Sequence, residues 1–344
     1  MSKISIAVSA AAGLSALVLA GPALSQTTLL FNGFAPHAGQ LHLQIVAPYL
    51  AEIEKVTAGR VKIKLSPQNL APPPEQMNMV KSGIADGAFM LTSFLQKSHP
   101  PLQLVYLPGT STRPDVDAIA LQRTYEKFFK QKNPVTDVVH VGFFAGDHGG
   151  LYNMQKMPVQ SVAEFKGKKV WALPGLTSQA IGVTGAAVVP GPAVRMHEII
   201  SKGVVDMFCC VDMEHLNAVK ISQYLGAITD IEGGLFGPKF TVFFNKSKWG
   251  RISKADQKAI LEISADAMPR RALNLKKVSD DFRQQYIAKG VVAAPASAAF
   301  SAELKKLWQP MYDAYFKSTQ RMGIDGKAAL EFYRSEAKKL AAGG

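Results

Sequence analysis

The sequence predicts an α/β protein of two lobes with a cleft between them and long C-terminal helices spanning both. Three observations predict it. Strand and helix periodicities alternate in two separate stretches, the last third is helical, and 344 residues suffice for two domains with a core each. The first 25 residues stand apart. Lys3, an apolar run from Ile4 to Ala20, and small residues at Ala23 and Ser25 give the three-part layout of a cleavable secretory signal, with cleavage expected before Gln26. The alternative, a membrane anchor, is disfavoured by the Ala, Ser and Gly content of the run and by its lack of basic stop-transfer residues.

The elements follow in order. Thr28–Ala35 reads as a strand entering a turn at Pro36–Gly39, and Leu41–Thr57 has helical apolar spacing. Val61–Leu65 alternates as a strand, Pro67–Pro74 is a turn, Glu75–Ser82 a helix closed by Gly83, and Ala85–Met90 the next strand. This order implies a largely parallel sheet. The second unit begins with a strand at Val138–Phe144 and the glycine-rich Gly146–Gly150. Ser161 and Glu164 have capping-box spacing. Strands are expected at Lys169–Ala172, Ala187–Val189 and Val204–Val211, with helices at Ser178–Gly182 and Val194–Ser201 between them. A helix from Ser253, broken near Pro269, is expected to reach Lys289 and to cross both lobes; Ala302–Met322 and Gly326–Leu340 supply two more. The expected division is 26–147 with 237–275 as lobe 1, and 148–236 with 276–344 as lobe 2.

Lys and Arg total 39 against 26 Asp and Glu, a formal net charge of +13, and the leader carries only Lys3 of these. The basic residues are scattered; the densest group, Lys166, Lys168 and Lys169, has no interleaved aromatics, so no nucleic-acid partner is expected. A generally basic surface attracts anions. Enzymatic patterns fail. His197-Glu198 opens like a zinc-protease helix, but Ser201 stands where the second ligand belongs. There is no Gly-x-Ser-x-Gly elbow and no phosphate loop, and two adjacent cysteines supply no zinc site alone. No enzyme activity, cofactor or metal is therefore expected; the alternative from that class is an exported hydrolase. Cys209 and Cys210 are the only cysteines. In an oxidising compartment they form either a vicinal disulfide or two free buried thiols.

Several segments resemble the extracytoplasmic solute receptors of tripartite ATP-independent periplasmic (TRAP) transporters: TAGRVKIK from Thr57 to Lys64, KSGIAD from Lys81 to Asp86, EFKGKKV from Glu164 to Val170, Gly203–Asp206, and NKSKWGRISKADQ from Asn245 to Gln257. The resemblance covers nearly all of the chain after the leader. It implies a periplasmic receptor of two lobes that closes over a small organic solute and delivers it to the membrane permease subunits of an importer. It also implies an arginine, pairing with a substrate carboxylate, where this chain has Trp171, and a Gly-Gln-Glu-Asn run where it has Met207–Cys210. A simple C4-dicarboxylate ligand is thus not expected. Trp171 and Phe208 offer flat faces for a neutral, aromatic or cationic solute, or else are core residues. On the first alternative, Trp171→Ala is expected to weaken binding and leave the unliganded fold largely intact.

Further ligand-binding candidates are Phe34, His37, Gln68, Asn69, Phe89 and Ser93, which follow strands of the first lobe. Asp147, His148 and Tyr152 follow a strand end near the crossing between lobes. Cys209, Cys210 and Asp212 lie at the end of the last predicted strand, with Glu214 just beyond, and the two acids favour a cation if they face the ligand. Phe236, in the return Gly233–Pro238, is a candidate lid.

Overall fold

The computed structural model describes residues 26–343; the expected leader, 1–25, lies outside the described residues. The first unit runs β1 (Thr27–Asn32), α1 (Ala47–Val56), β2 (Val61–Leu65), α2 (Gln76–Lys81), β3 (Gly87–Leu91), α3 (Pro114–Thr124) and β4 (Val138–Ala145). The chain then crosses into a second unit: β5 (Leu151–Asn153), β6 (Lys169–Ala172), α4 (Leu176–Gly182), β7 (Ala187–Pro190), α5 (Met196–Ser201), β8 (Met207–Cys209), α6 (Met213–Ala218) and β9 (Ala227–Asp230). It returns through β10 (Lys239–Asn245), α7 (Lys246–Trp249), α8 (Lys254–Ala265) and α9 (Ala267–Arg270). The remainder is α10 (Ala272–Ala288), β11 (Val292–Pro295), α11 (Ala298–Gln320) and α12 (Gly326–Ala342).

Two sheets result, in the orders β2-β1-β3-β10-β4 and β11-β9-β5-β8-β6-β7. The expectation of largely parallel sheets is corrected in one respect. β10 is antiparallel to both its neighbours in the first sheet, and β5 to both of its neighbours in the second. These reversed strands are the crossing segments themselves. Each leaves one lobe and inserts into the middle of the other's sheet, so its direction is set by the crossing rather than by a β-α-β unit.

Three local expectations are also corrected. The helix from Leu41 is a π-turn at His42–Val46 followed by α1, because Pro48 has no N–H to give the turn before it. The strand expected over Val204–Val211 is only β8, bounded by Gly203 at φ +65° and Cys210 at φ +76°. Ser161 makes no capping bond to backbone. Instead the Glu164 carboxylate accepts from the Ser161 hydroxyl and from Gln160 N–H, over a single 3₁₀ turn.

Each sheet is covered on both faces. One apolar cluster joins Phe31, Phe89, Phe144 and Phe240 of the first sheet to α1, α8 and the start of α10. A second joins Tyr152, Trp171 and Phe208 to α5, α6 and Tyr286 on α10. The third runs continuously under both lobes, from Met90 and Phe143 through Val170 and Cys209 to Phe300, Trp308 and Tyr333 of the last two helices. Helix α10 therefore spans both lobes, as the periodicity anticipated, and α11 does so too. Trp308 Nε1 donates to the Ala180 carbonyl of the second unit, and Tyr315 Oη to Pro101 of the first. Helix α12 packs on α3, where Tyr333 Oη donates to Asp117 at 3.0 Å and Arg123 pairs with Glu336 at 2.7 Å.

Candidate functional site

The strand ends of the two sheets define the candidate site. In the first lobe, β1 ends in Asn32, whose amide is wholly buried. Its Oδ1 accepts from Ser66 Oγ and Leu70 N–H, and its Nδ2 donates to Gln76 and Asn69. This network fixes the loop that presents Gln68 and Asn69, both exposed. Asn32 and Gln76 went unread in the sequence because a buried Asn at a strand end has no spacing signature. Phe34 is half-buried and packs its ring 4.8 Å from Phe89, which is itself fully buried among the aromatics of the first sheet. His37 stacks on His42 at 4.8 Å, and burial lowers the His42 pKa, with the charge of His37 adding to the effect. Ser93 N–H donates to Tyr106 Oη.

In the second lobe the sheet register aligns Tyr152, Phe208 and Trp171 side by side across β5, β8 and β6. All three are at most 1% exposed. Tyr152 is a clasp: its hydroxyl accepts from Gly150 N–H and donates to the Val211 carbonyl at 2.7 Å, pinning the end of β8. Trp171 is buried completely, yet its Nε1 has no partner among the described residues. It points at the loop after β7, where a Cβ on Gly191 would sit 3.0 Å away. His215 Nε2, on α6, is likewise buried and unpartnered, with its ring near the Ala193 carbonyl of the same loop. The complete burial of Trp171 corrects one expectation: its removal would open a large cavity, so the fold would not be left intact.

The sulfurs of Cys209 and Cys210 are joined, with Cα atoms 3.8 Å apart. Beyond them Asp212 caps α6 by accepting from His215 N–H at 2.8 Å, and Asp147 accepts from His148 N–H. Both carboxyls are more than nine-tenths buried. Burial raises each pKa to about 6; the nearby charges of His148 and Lys276 oppose the shift at Asp147, and backbone donors oppose it at Asp212. Glu214 is raised to about 7 by burial and by Asp212. Phe236, expected as a lid, is 6% exposed and stacks on Tyr106 at 4.9 Å; it is a packed part of the crossing. The two crossing segments are themselves bonded, Gly146 N–H to Pro238 O and Gly149 N–H to Phe236 O. The structure thus brings Trp171, Phe208 and Tyr152 into one row and Asp147 and Asp212 into one electrostatic group. Phe34, Phe89 and Phe240 form a separate aromatic group in the other lobe.

Comparison with known proteins identifies the family. Residues 31–319 match the family described as bacterial extracellular solute-binding protein, family 7. A relative from Comamonas testosteroni, described as outer membrane transporter protein TsaT, is 34% identical over 327 residues, 95% of this chain and 96% of the relative. A TRAP periplasmic solute-binding protein from Bordetella bronchiseptica, solved with (R)- and (S)-mandelate bound, superposes with a TM-score of 0.81 at 24% identity, covering 91% of this chain and 99% of the other. One from Rhodoferax ferrireducens, in complex with copurified benzoate, superposes with a TM-score of 0.78 at 18% identity, over 92% and 99% of the two chains. That family is one of receptors rather than enzymes, and no helix among the described residues is long and apolar enough to cross a membrane. The chain belongs to the bacterial extracellular solute-binding proteins of family 7.

Proposed function

We propose that this receptor is exported to the periplasm, loses its leader before Gln26, and captures a small aromatic solute with an acceptor group, such as an aromatic acid, for a TRAP-type permease. The observation that carries the reading is Trp171 in place of the family's arginine, with its buried indole N–H unpaired. A buried donor without a partner is costly, and a solute acceptor reaching the Gly191 loop relieves that cost. The ring row of Tyr152, Phe208 and Trp171 makes this part of the second lobe apolar, which favours a ring over a chain bearing two carboxylates. The neighbours' mandelate and benzoate support the same class of solute.

The test is a thermal-shift series with benzoate, mandelate, succinate and benzylamine on the mature chain. A ligand that binds only the folded state at 100 times its Kd adds about 2.7 kcal/mol. Benzoate or mandelate is expected to raise Tm, with the compound recovered unchanged. Stabilisation by succinate alone restores the dicarboxylate reading, stabilisation by benzylamine alone makes the buried acids the recognition element, and turnover of any compound sinks the receptor.

A further inference from the structure

A cavity of about 960 Å³ lies on the side of the crossing segments where the last two helices pack. The segment that follows β9 lines it, but of the candidate site residues only His148 borders it. Its walls are the loop 108–112 of the first lobe, the crossing residues 231–233, and the facing sides of α11 and α12. One wall is a row of cations. Lys327, Arg334 and Lys338 are exposed on α12, and the first and last are separated by about 16 Å along the helix axis. No carboxylate lies within ion-pair distance of any of the three among the described residues. By contrast Lys305 opposite is paired with Glu232 at 3.2 Å, and Lys339 on the same helix with Glu336 at 2.9 Å. Arg334 is held over the Tyr312 ring at 5.6 Å and donates to its hydroxyl, and Lys327 lies 5.7 Å from the Phe316 ring. Glu331 is the one carboxylate set within the row.

We infer that this groove is a docking site for an extended acidic segment of a membrane protein partner. The row is too long for a phosphate or a single-ring acid to reach both ends. An extended polypeptide bearing several carboxylates spans it, and aromatic rings along the floor supply contact area between the charges. The place matters as well as the charge. The walls include the first lobe, a crossing segment and a helix that spans both lobes, so a partner seated here touches parts whose relation changes when the lobes close. Naming the partner as the permease rests on the receptor reading above; the acidic-segment site itself does not.

The test uses the whole mature chain, without solute, and fluorescein-labelled deca-glutamate followed by anisotropy at low salt. Binding is expected to weaken at least tenfold in the Lys327→Glu, Arg334→Glu, Lys338→Glu variant and to fall with added salt. A control with the same change in charge, Lys55→Glu, Lys62→Glu, Lys64→Glu on the first lobe, is expected to bind within about twofold of the unaltered protein. The milder pair Arg334→Gln, Lys338→Gln guards against misfolding and is expected to lie between the two. Equal losses in groove and control variants, or no binding at all, overturn the site. Inorganic phosphate displacing the peptide as well as unlabelled deca-glutamate does, charge for charge, overturns the extended segment in favour of a point anion.

Discussion

Cys210 holds a φ of +76°, a region that side-chain-bearing residues rarely adopt, and it does so immediately after β8. Its neighbours enforce the shape: Cys210 N–H donates to Gly150 O, and Tyr152 holds the next carbonyl. Gly149 lies against the same turn, and a Cβ there would come within 2.3 Å of Val211 N. Because backbone cannot swing aside as a side chain does, Gly149→Ala is expected to cost at least about 2 kcal/mol in urea unfolding. At Trp171 the informative change is to Phe rather than Ala. Ala leaves a cavity costing about 3–5 kcal/mol, which confuses binding with folding. Trp171→Phe keeps an aromatic ring while removing the N–H and a smaller part of the buried volume, so its urea unfolding is measured alongside. It is expected to weaken the aromatic solute about 2- to 13-fold by calorimetry, the worth of one hydrogen bond. Unchanged affinity returns the indole to the core.

At the scale of elements, the motifs that made the family legible bond to one another. Arg60 of the first motif clamps Asp256 of the last through Nε and Nη2. Asp86 accepts from Leu30 N–H and pairs with Lys248; Asp206 accepts from Lys169 N–H and faces Lys168. Both aspartates stand three residues after a helix-closing glycine, Gly83 at φ +77° and Gly203 at φ +65°. The same device thus fastens a helix to the neighbouring strand in each lobe. Such pieces read well from sequence because residue type and spacing are fixed by local geometry. The crossing strands β5 and β10 went unread because their direction is decided by long-range pairing, and β5 is only three residues long. The candidate site was half legible for the same reason: Trp171 stands out by its place in a motif, whereas Asn32 and His215 make or lack contacts that no spacing announces. Helix α11 carries Pro310 in its interior, between its contacts to the two lobes. Proline there forgoes one backbone bond and bends the strut. Pro310→Ala is expected to raise Tm by a few degrees, corresponding to about 1 kcal/mol or more; a lower Tm would mean that the bend is required for packing.

For the whole molecule, the buried acids at the crossing make one contribution to the pH response. It is opposed by the buried His99 and His140, whose pKa values burial lowers to about 4 and about 3. Asp147 and Asp212 have folded pKa values near 6, above the ordinary 3.8, chiefly through burial. The folded chain therefore binds protons more tightly than the unfolded one between about pH 4 and 6. That contribution to stability is present at the acid end and is lost as pH rises through 6. The double change Asp147→Asn, Asp212→Asn is expected to remove that contribution, so that the urea midpoint at pH 4.5 falls relative to that at pH 7 when compared with the unaltered protein. Asparagine preserves the α6 cap, so a loss at both values would mean a packing defect instead.

The interleaving of the two sheets has a consequence for biosynthesis. β10 lies between β3 and β4, so the first sheet lacks an interior strand until residue 245 has been delivered. An emerging chain ending near residue 146 holds two strands with unpaired flanks, an aggregation hazard for any species that lingers there. A fragment of residues 26–146 is accordingly expected to be insoluble. The first sheet therefore cannot be completed until most of the length is available, and a chain whose sheet is still open is one that can be threaded through a translocation channel.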